Sequence, residues 1–179
     1  MKKALFIMLS AALIVCATVA GTLAWLTDTT APVVNTFTVG DINITLTESE
    51  NLDLKMVPGQ TITKDPKVTV KGGSEDCWLF VKIEKSANFY DFMTFEMAGG
   101  WTLLKTEGNT EVYYREVAAT TADTDISVLK DNKVMVLDTV TKTMLEGAKT
   151  NAPTLTFTAY AVQKDGIADA ATAWGKVTP

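Results

Sequence analysis

Apolar side chains in this sequence recur with a period of two, which a strand satisfies and a helix does not. In "LTFTAYAVQ", Leu155, Phe157, Ala159 and Ala161 share one face, and Thr156, Thr158, Tyr160 and Val162 share the other. "CWLFVKIE" places Cys77, Leu79, Val81 and Ile83 on one side. Its other side carries Trp78 and Phe80, then Lys82 and Glu84. That segment is expected to be a central strand, covered on both faces at its start. "INITLTE" sets Ile42, Ile44 and Leu46 against Asn43, Thr45 and Thr47. Strict alternation of this kind marks half-buried strands.

The punctuation between these runs is that of an antiparallel protein. "VPGQ" at Val57–Gln60 is a tight turn, with Pro fixing φ and Gly accepting φ > 0. A strand is expected over Thr61–Val70, with Pro66 marking an edge or an interruption because it donates no ladder hydrogen bond. "KGGSED" and "AATTADTD" read as loops. A helical turn is expected near Phe89–Phe92. A hairpin follows, with strands Trp101–Lys105 and Glu111–Val117 around Glu107-Gly108-Asn109. "KVMVLDTVTKTMLEGA" gives a short strand and then a helical turn over Thr139–Ala148. "ADAATAWGKV" closes as a short helix, with Asp169 near its start and Trp174 packing back. About seven to nine short strands with few helical patterns predict an all-β fold. The expected form is an antiparallel two-sheet sandwich of jelly-roll or immunoglobulin type with short helical turns.

The first residues are of a different kind. Lys2 and Lys3 precede an uncharged run from Ala4 to Ala20, and small residues Thr22 and Ala24 follow. This is the layout of a secretory signal over residues 1–24, cut after Ala24, with Ala20 as the second choice. The alternative is an uncut anchor, since about 20 apolar residues span a bilayer. No Lys or Arg cluster follows to stop transfer. Cys16 is preceded by Val15, which is too large for a lipid-attachment signal, so Cys16 is expected to leave with the signal. The remaining chain, about 155 residues, suits one domain. Its net charge moves from −5 to about −7 once the two lysines are gone. Nucleic acid is therefore not an expected partner. Only Cys77 remains, which rules out an intramolecular disulfide.

The chain contains no histidine. This removes Ser-His-Asp and Cys-His catalysis, HExxH zinc sites and any histidine pH switch. Zinc in a catalytic site takes three protein ligands, usually with His among them. Two acidic runs offer oxygen ligands: "ESENLD", with Glu48, Glu50 and Asp53, and "DTD", with Asp123 and Asp125. Calcium needs six to eight converging oxygens, and neither run has EF-hand spacing, so solvated loop charge is the preferred reading. Paired carboxylates remain chemically open as acid and base, but no spacing singles out a pair. Cys77 reads as a small buried hydrophobe rather than a reactive thiol. Trp101, Tyr113 and Tyr114 read as hairpin-stabilising aromatics before they read as a carbohydrate platform.

Residues 25–40 form a Thr-rich, strand-prone segment ahead of the sandwich domain, residues 41–179. Val33, Phe37 and Val39 have odd parity, whereas Ile42, Ile44 and Leu46 have even parity. The apolar face switches across Gly40 and Asp41, where a bulge or hinge restores register. The segment is either the first strand of its own domain or a strand given to a neighbour, with Val33, Phe37 and Val39 as its anchors.

The segments "GTLAWLTDT", "NTFTVGDINITLTE", "VPGQTITKDPKVTV", "CWLFVKIE", "VYYREV" and "FTAYAVQKDG…ADAATAW" run through nearly the whole chain. On these the chain resembles the TasA/camelysin family of secreted Gram-positive proteins. That resemblance implies a signal cut by a SipW-type signal peptidase and a jelly-roll-like domain. It implies fibre subunits of the biofilm matrix whose N-terminal segment inserts as a strand into the next subunit. Some relatives instead carry a label as cell-surface metallopeptidases. The chain is similar to the shorter members and lacks the large loop insertions of long TasA, so it makes fibres alone or serves as an accessory subunit. The implied partners are itself or related matrix subunits, and the signal peptidase during export. Contact with membrane is implied only through the uncleaved signal. The location is extracellular matrix or cell surface, with no cofactor, no metal and no catalytic residue. A monomeric secreted carbohydrate- or protein-binding module is the alternative, and a camelysin-like peptidase the third reading.

Overall fold

In a computed structural model the described residues are 41–49 and 55–177 of the chain. They form ten strands. These are β1 (Ile44–Thr47), β2 (Thr61–Thr63), β3 (Lys67–Val70), β4 (Cys77–Lys85) and β5 (Met93–Thr94). They continue as β6 (Thr102–Glu107), β7 (Thr110–Val117), β8 (Thr124–Ser127), β9 (Lys133–Val136) and β10 (Leu155–Gln163). Short helices occupy Phe89–Phe92, Lys142–Ala148 and Ala170–Val177. All strand pairs are antiparallel, in sheets ordered β10-β4-β7-β6, β1-β3-β8 and β2-β9-β5.

The fold is an all-β sandwich built around β4. On one face Leu79, Val81 and Ile83 are fully buried against Val68 and Val70 of β3, Ile126 of β8 and Val136 of β9. On the other face Trp78 and Phe80 pack with Val112, Ala170 and Ala173. Trp174 closes this second cluster, its ring 5.2 Å from Phe80 and 5.5 Å from Tyr160. Each fully buried large aliphatic or aromatic side chain contributes about 1.5–3 kcal/mol of transfer free energy. The terminal helix begins where Asp169 Oδ1 accepts from the Thr172 N–H at 2.8 Å. The expected turn at Val57–Gln60 is present: the Gln60 N–H donates to the Val57 carbonyl at 3.0 Å, and Gly59 has φ 74°.

Three features differ from the sequence reading. The layer opposite the four-stranded sheet is two three-stranded sheets, not one. Pro66 divides Thr61–Val70 into β2, which pairs with β9, and β3, which pairs with β8. Its carbonyl still accepts from the Val128 N–H at 3.0 Å. Secondly, the polar run ending at Asp125 is not all loop, because Thr124–Ser127 is strand β8. Asp125 lies on the strand and Asp123 just before it, their charge neutralised by lysines at 2.7 Å for Lys67–Asp125 and 2.8 Å for Lys71–Asp123. Thirdly, β10 lies at a sheet edge rather than in the sheet's interior, so Phe157, on its core-facing side, is only half-buried.

Candidate functional site

The two edges of the four-stranded sheet are built differently. At one edge, β6 carries a register shift between Leu103 and Lys105, and Lys105 pairs with Glu107 at 2.9 Å. A bulge and charged side chains are the usual means of preventing strand addition. At the other edge, β10 pairs with β4 in unbroken register from Leu155 to Gln163. Its nine residues contain no charge, proline or glycine. No described strand pairs with its outer side.

β1 is likewise the edge of its own sheet. β1 and β10, each at a sheet edge among the described residues, border one cleft of about 280 Å³, with Leu46, Pro66, Leu155 and Phe157 in its lining. A larger cleft of about 520 Å³ adjoins Leu155 and Thr156, with Met56, Ile62, Phe89 and Met93 in its lining. The pair of clefts offers apolar depth beside a sheet edge that no described strand covers. That combination suits an extended peptide: the main chain gives hydrogen bonds, and alternate side chains enter pockets.

The most closely connected titratable cluster among the described residues lies elsewhere, around Glu111 and Lys85. Glu111 receives hydrogen bonds from Tyr90 at 3.1 Å and Tyr113 at 3.0 Å. Its Oε1 lies 2.6 Å from buried Lys85 Nζ, a close ion pair whose angle misses a hydrogen bond. Lys85 also sits over the rings of Tyr90 and Phe95, at 5.0 Å and 5.8 Å. Burial raises the Glu111 carboxyl, but Lys85, Tyr113 and Tyr90 outweigh it and hold the group below its ordinary value. A carboxylate so stabilised is a weak base. Cys77 has no exposed surface, and burial, with Asp76 adding to it, pushes its thiol up to about 11. Tyr113 belongs to the main core and Tyr114 to the second cluster, so Trp101, Tyr113 and Tyr114 form no common platform.

Of the residues singled out by sequence, Ala24, Val33, Phe37, Val39 and Gly40 lie outside the described residues, as do Glu50 and Asp53. Asp41 is described and exposed. Its carbonyl accepts from the Glu75 N–H at 3.1 Å, and its Oδ2 accepts from Asn43 at 2.7 Å. Glu48 pairs with Lys64 at 2.6 Å. Among the described residues, no three His, Cys, Asp or Glu side chains gather as metal ligands. The β10 edge was not foreseen, although the absence of charge over Leu155–Val162 was the available signal.

A family model described as camelysin metallo-endopeptidase matches residues 1–90. No curated protein and no solved structure matches the chain.

Proposed function

The chain belongs to the TasA/camelysin family, and from that premise we propose that it is a secreted structural subunit of the extracellular matrix. It forms fibres, or docks onto fibre subunits, when residues 25–40 of one molecule enter the β10 edge of the next. The observation that carries this reading is the contrast between the guarded β6 edge and the β10 edge, which no described strand covers and which lies beside an apolar cleft. Residues 25–40 reach about 50 Å when extended, at about 3.3 Å per residue. The nine-residue β10 edge needs about 30 Å of partner strand by the same spacing. Val33, Phe37 and Val39 supply the anchors for the cleft, and each main-chain hydrogen bond gained is worth about 0.5–1.5 kcal/mol net. Cleavage after Ala24 frees the segment once the chain is exported.

The family description names a metal-dependent peptidase, and the residues present do not fit that metal. The chain has no histidine, and its one described thiol is buried and held neutral. We therefore derive no catalytic step through a metal, and the protein is read as non-enzymatic. Chelator-sensitive proteolysis by highly purified protein, lost on a point substitution within the chain, would reverse this part of the reading.

Size-exclusion chromatography and negative-stain imaging of the mature protein, with and without residues 25–39, test the assembly. Higher-order species are expected only when the segment is present. Monomers under both conditions, at matrix-like concentrations, favour a monomeric binding module instead.

A further inference from the structure

The chain has a single arginine, Arg115. Ten lysines form ion pairs among the described residues, and Arg115 forms none. Its guanidinium lies instead beside the Trp101 ring and Gly100. Cζ is 5.6 Å from the Trp101 ring centre. On Gly100, at φ +89°, an added Cβ would come within 3.3 Å of Cζ, Nη1 and Nη2. Nε is buried without a partner. Nη1 and Nη2 have neither burial of that kind nor a partner, so they meet solvent. They do so in a groove of about 480 Å³ between β7 and β8, with Gly99, Val117, Ala118 and Ser127 in its lining. The nearby acids Glu116 and Asp125 are already held by Lys164 and Lys67.

We propose that Arg115 receives a carboxylate from an acidic peptide partner lying in the groove between β7 and β8. The chemistry follows from the stack. A guanidinium fixed on an aromatic ring keeps its planar fork in one orientation, and that fork matches a carboxylate through two parallel hydrogen bonds. A buried donor left unpaired is unfavourable, and such a cost calls for a reason. Holding the fork in register for a ligand is such a reason. The choice of a peptide follows from the surroundings. Trp101 gives a ring face to Arg115 and its Nε1–H to the Ser127 carbonyl at 2.9 Å, which leaves it poorly placed to stack a sugar. β8 is the edge of its sheet, and apart from the Ser127 carbonyl, which Trp101 holds, no described strand occupies its outer side. The site is separate from the β10 edge and does not depend on strand insertion there.

Because Arg115 is the sole arginine, its Nε–Hε resonance is unambiguous in a ¹⁵N correlation spectrum of the purified protein. The titrants are sodium acetate, a capped pentapeptide with one central glutamate, its glutamine counterpart and polygalacturonate, with chloride at matched ionic strength as baseline. The glutamate peptide is expected to shift the signal saturably, at about tenfold lower concentration than acetate, because backbone contacts add to the ion pair. The glutamine peptide is expected to leave the signal in place. Arg115→Lys, with an unchanged amide spectrum elsewhere, is expected to weaken peptide binding about tenfold, since Lys lacks the fork. No saturable shift with the glutamate peptide overturns the site. Equal saturation by acetate or by the glutamine peptide, or tighter saturation by polygalacturonate, overturns the peptide partner.

Discussion

Leu79 has no exposed surface and Phe157 is only half-buried, though both point into the same core. Leu79→Ala should cost about 2–5 kcal/mol, through lost transfer free energy and the cavity left behind. Phe157→Ala should cost less, about 1–2 kcal/mol, since part of its ring is already in water. Urea denaturation of the two variants checks the order, and equal losses would contradict the edge position of β10. Glu111 carries the acid dependence that is best defined by its contacts. Its folded pKa lies below its ordinary value of 4.5, so the ionised form stabilises the fold. That contribution is present above the unfolded pKa and is lost as pH falls through the folded one. Asp65, Asp123, Asp125, Asp131 and Asp169 are lowered too, so they share the sign. Glu111→Gln should therefore make the melting temperature fall less steeply between about pH 5 and pH 3. Cys77 behaves oppositely: its raised thiol supports the fold below 9.0, and that support is lost as pH rises through about 11. In the native protein near neutral pH, Ellman's reagent should leave it unmodified, and unfolding should expose it.

At the scale of elements, the local signals held where chemistry is local. The alternation of β4, the Gly108 turn of the β6–β7 hairpin, with φ 56°, and the Asp169 cap were all legible in the residues themselves. Asp169→Ala should accordingly cost about 0.5–2 kcal/mol, the usual loss for a helix cap, read from thermal unfolding. What was not legible depended on partners far along the chain. β8 has one buried apolar residue, Ile126, and looks like loop until Lys67 and Lys71 neutralise its neighbouring acids. The donor anchors Val33, Phe37 and Val39 were readable as a pattern, but an acceptor was not, because edge status is a property of the assembled sheet. Arg115 was visible as a lone arginine, while its stack on Trp101 required the turn at Gly100. The unguarded edge yields its own test. Thr156→Lys places a charge on β10 opposite Glu84, so monomer stability should change by less than about 0.5 kcal/mol. Assembly followed by light scattering should nonetheless slow, because an edge lysine opposes strand addition. Unchanged assembly would point to an acceptor other than β10.

For the molecule as a whole, the absence of histidine and the direction of the carboxylate shifts act together. No side chain has an unperturbed pKa between about 5 and 8, and every resolved carboxylate shift among the described residues is downward. The extent of assembly should therefore stay level across that range, and a sharp change near neutrality in a sedimentation series would disagree. The proposed strand exchange joins the whole chain into a polymer: one bare edge receives, one N-terminal segment gives, and the bulged β6 edge keeps the sheet from adding strands on its other side. The most direct measurement is to remove residues 25–38 from the mature protein and add them back as a synthetic peptide. The account predicts a folded monomer that no longer assembles and binds the peptide stoichiometrically, with added protection of β10 amides in hydrogen exchange. A truncated protein that is unfolded, that still assembles, or that ignores the peptide would contradict it.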